Sequence, residues 1–195
     1  MRTTIKKDFS VEEPIEKVWD YLANPTKIVS CVPGASITEE IDDRNFKGEV
    51  TMKFGPVKAK YSGEIAIQEL DMEAKKMVMK GRGLDSKGKG SADMVMNGSL
   101  NPTETGTDVH FSMEISIIGM LAQFGSRLIN DVSDQLLNQF VANFKAKLAG
   151  AEEVDNSINA GAMMGTIVKN KIGGLFSGKK DKEQEEQKPK EEASK

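Results

Sequence analysis

The chain has 195 residues and a formal net charge of −3, with 38% hydrophobic, 6% aromatic and 29% charged residues. One His (His110), one Cys (Cys31) and one Trp (Trp19) stand against eleven Met. These counts leave no ligand set for a zinc or iron–sulfur site, no disulfide within the chain and only His110 for a Ser-His-Asp or Cys-His device, and the mild acidity gives no reason to expect nucleic acid.

The start, Met1 to Asp8, has no apolar stretch of the secretory kind, and nowhere do about eighteen apolar residues run together. With a single Cys, a cytoplasmic protein, soluble or peripherally attached, is expected. A first strand is followed by a short helix from Pro14 to Leu22 that puts Ile15, Val18, Trp19 and Leu22 on one face. A further turn begins near Pro25 and runs through Ile28 and Val29. Cys31, beside Val32-Pro33-Gly34, reads as a buried small residue.

Residues 36–118 alternate in polarity and turn at intervals of about ten to fifteen residues, the pattern of an antiparallel meander. One face collects Phe46, Val50, Met52, Phe54, Val57, Ala59, Tyr61, Ile65 and Ile67, then Met77, Met79, Ala92, Met94, Met96, Leu100, Val109, Phe111, Met113, Ile115 and Ile117. The other carries charges such as Lys47, Glu49, Lys58, Glu64, Arg82 and Asp93, with His110 on that wet side. A sheet wet on one face needs a cover for the other. Gly119 to Leu148 supplies it: Phe124, Leu128, Val132, Leu136, Phe140, Phe144 and Leu148 recur every four residues, and Gly150 offers a stop. The expected fold is α+β: a helix-grip (START-like) arrangement, with a curved antiparallel sheet of about seven strands wrapped on a long C-terminal helix and a C-terminal amphipathic tail beyond it.

Five glycines (Gly48, Gly63, Gly81, Gly83 and Gly98) sit on the inward face, where strand glycine normally costs stability. They serve either sheet curvature or open space between sheet and helix. Six inward methionines, with flexible thioethers, suit a ligand of irregular shape but also fill ordinary cores. An apolar cavity would be lined by Met52, Phe54, Tyr61, Gly63, Met77, Met79, Met94, Met96, Met113, Ile115, Leu121, Phe124 and Leu128. Modest enlargement of Gly63 or Gly98 is expected to leave the fold standing while blocking that cavity.

The tail divides by charge. Residues 1–156 hold 19 Lys/Arg and 24 Asp/Glu, whereas 157–180 hold four Lys and no acid. The expected organisation is a ligand-binding domain over 1–150, a linker over 151–156, a basic amphipathic membrane-binding segment over 157–180 and a disordered charged tail over 181–195. Met164, Val168, Ile172, Leu175 and Phe176 fall at helical spacing, accompanied by Lys169, Lys171, Lys179 and Lys180. Such a segment suits the interface of an anionic leaflet, each Lys contributing about 1 kcal/mol near the surface. The other reading is a helix that docks on the body or on a partner protein.

Four stretches of this chain resemble the CoxG family, named for carbon monoxide dehydrogenase: residues 24–35 (NPTKIVSCVPGA), 48–71 (GEVTMKFGPVKAKYSGEIAIQELD), 88–111 (GKGSADMVMNGSLNPTETGTDVHF) and 119–144 (GMLAQFGSRLINDVSDQLLNQFVANF). The resemblance covers about residues 1–149 in order. It implies membership of the START-like, polyketide-cyclase-like (SRPBCC) superfamily, whose helix-grip domains hold lipids, polyketides and other hydrophobic molecules. It also implies association with a molybdenum carbon monoxide dehydrogenase and its attachment to the cytoplasmic membrane. It carries over no catalytic residues.

The expected function is therefore that of a non-catalytic carrier, peripheral on the inner face of the cell membrane. It would bind an isoprenoid quinone (menaquinone or ubiquinone) or a lipid and couple the dehydrogenase to the respiratory chain. The alternatives are a membrane anchor or assembly factor with no ligand, and a cyclase-type enzyme. The last is disfavoured because inward positions offer little acid–base chemistry beyond Tyr61.

Overall fold

The computed structural model describes residues 1–54 and 57–158. Strand β1 (Arg2–Val11) leads to helix α1 (Ile15–Leu22), helix α2 (Pro25–Ile28) and a 3-10 turn (Val29–Cys31). Strands β2 (Ala35–Glu40), β3 (Asn45–Phe54), β4 (Val57–Asp71) and β5 (Lys76–Asp85) follow. The chain then forms β6 (Gly90–Pro102), β7 (Thr107–Gly119), a 3-10 turn (Met120–Phe124) and helix α3 (Gly125–Leu148). The seven strands make one antiparallel sheet in the order β1-β7-β6-β5-β4-β3-β2. This sheet with its long C-terminal helix is the expected helix-grip architecture.

Strands β1 and β2 are neighbours in sequence but occupy opposite edges, so the chain between them must cross the sheet, about 29 Å at six strand spacings. Local chemistry sets how it does so. Pro14 precedes α1 with its carbonyl accepting from the Lys17 and Val18 N–H groups, and Val18 and Trp19 are buried. Asn24 caps α2 through its side chain, which accepts from the N–H groups of Thr26 and Lys27, and Pro25 takes the first helical position. The turns close on aspartates: Asp42 accepts from Arg44 and Asn45, Asp71 from Glu73 and Ala74, and Asp85 from Lys89.

The C-terminal cover differs from the expected continuous helix. Gly119 and Gly125 have φ of 96° and 75°, so Met120–Phe124 is a separate 3-10 piece and α3 begins only at Gly125. A left-handed residue at each end interrupts the helical ladder although the apolar spacing runs straight through.

Two clusters of buried side chains hold helix and sheet together. The first gathers Val11, Val18, Trp19, Cys31, Met77, Leu100, Val109, Phe144 and Leu148. The second gathers Ala59, Tyr61, Ile117, Leu121, Ile129 and Val132. In the first, the Phe140 and Phe144 rings are stacked at 5.8 Å, and Phe9 meets both edge-on.

Residues 151–158 depart from the expected linker. They form a strap packed on the domain, with Val154 against the first cluster and Ile158 against the second. The domain therefore extends to Ile158 rather than ending at Gly150. No helix among the described residues is long and apolar enough to cross a membrane.

Candidate functional site

Side chains directly opposite each other in an antiparallel pair share a face, so the register shows what lies under α3. One row across the sheet is Ile5, Met113, Met96, Met79 and Ile67. The next is Thr3, Ile115, Met94, Gly81, Ile65 and Phe46, and the third is Ile117, Ala92, Gly83, Gly63 and Gly48. This inward set is the one the alternation predicts.

Helix α3 runs parallel to β1. Thr3 donates to Asn130 Oδ1 at 2.9 Å and Lys7 donates to Asn138 Oδ1 at 2.7 Å. Eight helical residues rise about 12 Å and four strand residues about 13 Å, so the two elements keep step along this edge. On its other side α3 holds the strap. Gln139 Nε2 donates to the carbonyls of Asp155 and Ser157 at 3.0 and 2.7 Å. Asn143 Nδ2 donates to the carbonyls of Asp155 at 2.9 Å and Cys31 at 3.4 Å. Asn156 in turn reaches β2, donating to the Ala35 carbonyl at 3.1 Å. The sheet is thus the floor, α3 the roof, β1 one wall and the strap the other.

Between the two clusters lies a band where Ile65, Gly81, Met94 and Met113 stay partly accessible although they face the helix side. None of the four belongs to either cluster. The sequence-derived lining sorts accordingly. Tyr61, Met77 and Leu121 are buried members of the clusters; Met79 and Met96 pack half-buried on the first, and Met52, Ile115, Phe124 and Leu128 on the second. Met94 and Met113 occupy the band itself. The Phe54 side chain and the expected membrane segment, from Met164 and Val168 through Lys169, Lys171, Ile172, Leu175 and Phe176 to Lys179 and Lys180, lie outside the described residues.

The inward glycines divide into two kinds. A Cβ at Gly63 would overlap the Arg82 carbonyl oxygen, and one at Gly48 would stand 2.8 Å from the Ser36 carbonyl oxygen. These two serve close backbone approach in a coiled sheet. At Gly81 and Gly98 the neighbours are instead the side chains of Met94 and Met77, with nearest atoms at 2.7 and 3.1 Å. Gly63 and Gly98 are therefore not equivalent, contrary to the sequence-based expectation: only Gly98 adjoins a movable side chain.

Polar groups are few on this face. Burial raises the Tyr61 hydroxyl above its usual pKa, and the Asp85 carboxylate, its partner in register, adds to the rise. Cys31 is fully buried, and desolvation pushes its thiol up against the opposing effects of Ser30 and Lys147. His110 lies on the outer face, half-exposed and 2.9 Å from Asp8. Among the described residues no group of three or more His, Cys, Asp or Glu could hold a metal ion. A groove of about 520 Å³ opens on the outer face beside Arg2, Glu64, Lys80, Arg82, Asp93 and Glu114. Its charged walls set it apart from the apolar band.

The residues that sequence reasoning missed are the strap and its amide partners. Their signal was Asn143, set between Phe140 and Phe144 in the apolar stripe, and Gln139 one turn earlier.

The family model for CoxG, the G-type subunit of carbon monoxide dehydrogenase, matches residues 8–149. No curated protein matches the chain. Among solved structures, a conserved protein from Geobacillus kaustophilus is 20% identical, covering 75% of this chain and 95% of its own, with a TM-score of 0.68. A protein from Chromobacterium violaceum is 19% identical over 76% of this chain and 98% of its own, with a TM-score of 0.54. The ZhuI aromatase/cyclase from a Streptomyces species is 11% identical over 79% of this chain and 100% of its own, with a TM-score of 0.55. At these identities the structures speak to the fold alone. The family match spans most of the chain, in the order and over the elements just described: this chain belongs to the carbon monoxide dehydrogenase CoxG family, on a START-like helix-grip domain.

Proposed function

We propose that this protein is a non-catalytic carrier of a hydrophobic molecule, an isoprenoid quinone (menaquinone or ubiquinone) or a lipid. It serves a molybdenum carbon monoxide dehydrogenase at the inner face of the cytoplasmic membrane. The observation that carries this reading is the divided core. Two buried clusters flank a band of methionines and glycines that faces the helix yet stays partly accessible. A floor of that composition adapts to an irregular apolar ligand, because thioether side chains repack at small cost. Electrons from the dehydrogenase need an acceptor that dissolves in lipid, and a cup that visits the membrane supplies one. The basic segment over 157–180 makes the visit, at an interface rather than across it. Coupling to the dehydrogenase follows from family membership.

The test is native mass spectrometry of the purified full chain, with organic extraction before and after incubation with membranes. A copurified isoprenoid quinone or lipid is expected at a stoichiometry near one per chain. Finding neither after membrane incubation would sink the carrier reading. A second reading, an anchor or assembly factor with a filled core, draws on Met94 and Met77, which already occupy the space above Gly81 and Gly98. Under it, a protein with no extractable ligand would still recruit the dehydrogenase to membranes.

A further inference from the structure

At one end of the sheet the β3–β4 hairpin, the β5–β6 turn and the end of β7 come together. The Ser86 N–H donates to the Lys60 carbonyl at 2.8 Å, and the Met120 N–H to the Lys89 carbonyl at 3.2 Å. On the outer face there, Ser62, Leu84, Ser91 and Ile118 form one row in register. Leu84 and Ile118 are 60% and 65% exposed, the two most exposed large hydrophobic side chains of the described residues. They stand two strand spacings apart, about 10 Å.

Around this pair the charge is one-sided. Lys53, Lys58, Lys87 and Lys89 are exposed and form no ion pair among the described residues, while Lys60 is paired with Glu49. Lys53 and Lys58 are direct partners in register, a like-charge cross-strand pair that costs stability unless something anionic neutralises it. The opposite end of the sheet is acidic, with Glu12, Glu13, Glu16, Asp71, Glu73 and Glu104 around its loops. Strands β6 and β7, of 13 residues each, separate the two ends by about 40 Å. That is several Debye lengths, about 8 Å each at physiological ionic strength, so the net acidity of the body does not cancel the basic end.

We propose that this end of the sheet is a second membrane contact, built into the folded domain. It seats Leu84 and Ile118 at the headgroup level of an anionic bilayer, with Lys53, Lys58, Lys87 and Lys89 against lipid phosphates. The inference rests on the membrane reading above and extends it. The C-terminal segment tethers, and the sheet end orients the domain, with the β7–α3 junction turned toward the lipid. Exposed aliphatics ringed by lysines are the composition of an interfacial contact, and a partner protein of ordinary surface would leave four like charges unmatched.

The test uses the full chain labelled with an environment-sensitive fluorophore at Leu84→Cys, with Ile118→Cys as a second site and Glu73→Cys at the acidic end as control. Cys31 is buried, so the unsubstituted protein measures background labelling. Each form is mixed with phosphatidylglycerol–phosphatidylcholine vesicles or with pure phosphatidylcholine vesicles, and flotation is read on the same samples. Expected is a blue shift and brightening at 84 and 118 on anionic vesicles, none at 73, and loss of that shift in Lys87→Glu/Lys89→Glu with partitioning lowered about tenfold or more. Flotation with no shift at 84 or 118 overturns this contact and leaves the tail-based membrane reading standing. No flotation at all overturns both. A shift without vesicles that grows with protein concentration makes the patch a self-association surface and overturns the proposal.

Discussion

The Gly34 N–H donates to both carbonyl oxygens of Asn156, backbone and side chain, at 2.9 Å each. Gly34 can be so approached because it has a φ of 73°, and a Cβ there would overlap the Thr51 carbonyl oxygen and lie 2.7 Å from Ile158 Cδ1. This clasp closes the strap side of the helix grip. Replacing Asn156 by Ala removes its side-chain bonds to Gly34 and Ala35 and should cost about 1–3 kcal/mol. Hydrogen exchange should show faster opening at 151–158 than in the strand core, and a bound apolar ligand should leave faster. Unchanged protection of the strap would remove its role as a wall.

Gly63 and Gly98 provide a paired test of what the glycines do. Gly63→Ala drives a methyl into backbone on β5 and should destabilise by about 3 kcal/mol or more, or prevent folding. Gly98→Ala meets only Met77 and should change stability by less than about 1 kcal/mol while reducing ligand uptake. Equal melting shifts in thermal denaturation would show that curvature does not separate the two positions.

Burial raises the Cys31 thiol, and this has a sign in pH. The folded state keeps the proton to higher pH than the unfolded chain does. Stability from this group is complete below the ordinary thiol range and falls as pH rises through it. Native protein should therefore react slowly with a thiol-specific chromogen at mildly alkaline pH, at a rate set by opening. Fast reaction matching that of the urea-unfolded chain would contradict the burial.

Truncation belongs after Ile158, because Asn156 and Ile158 are part of the domain. Removing residues 159–195 should leave the melting temperature within a few degrees and weaken binding to anionic vesicles by more than about tenfold. A truncated form that floats as well as the full chain would transfer the anchoring entirely to the body.

Periodicity made the sheet faces legible, because alternation has a period of two and any slip would have exposed the whole apolar set. The aspartate turns, the Asn24-Pro25 cap and the outward His110 were readable for the same local reason. The break at Gly119 and Gly125 was not, since apolar spacing continues through it and only the backbone angles interrupt it. Nor was the strap: residues 151–158 lack a periodic pattern, and what orders them is a set of amide bonds to Gly34, Ala35, Gln139 and Asn143 distant in sequence.

By itself the sequence determined the composition of the inward face, six methionines and five glycines, and excluded metal-ligand chemistry by its counts of His and Cys. Only the tertiary structure decided which glycines answer to backbone contact and which to side chains, because that depends on the distance between strands, not on residue type. It also decided that the core divides in two, since burial belongs to the assembled layers. The mean charge of −3 was likewise a sequence fact; that the folded body has a basic end and an acidic end arises from the hairpins the meander gathers at each end.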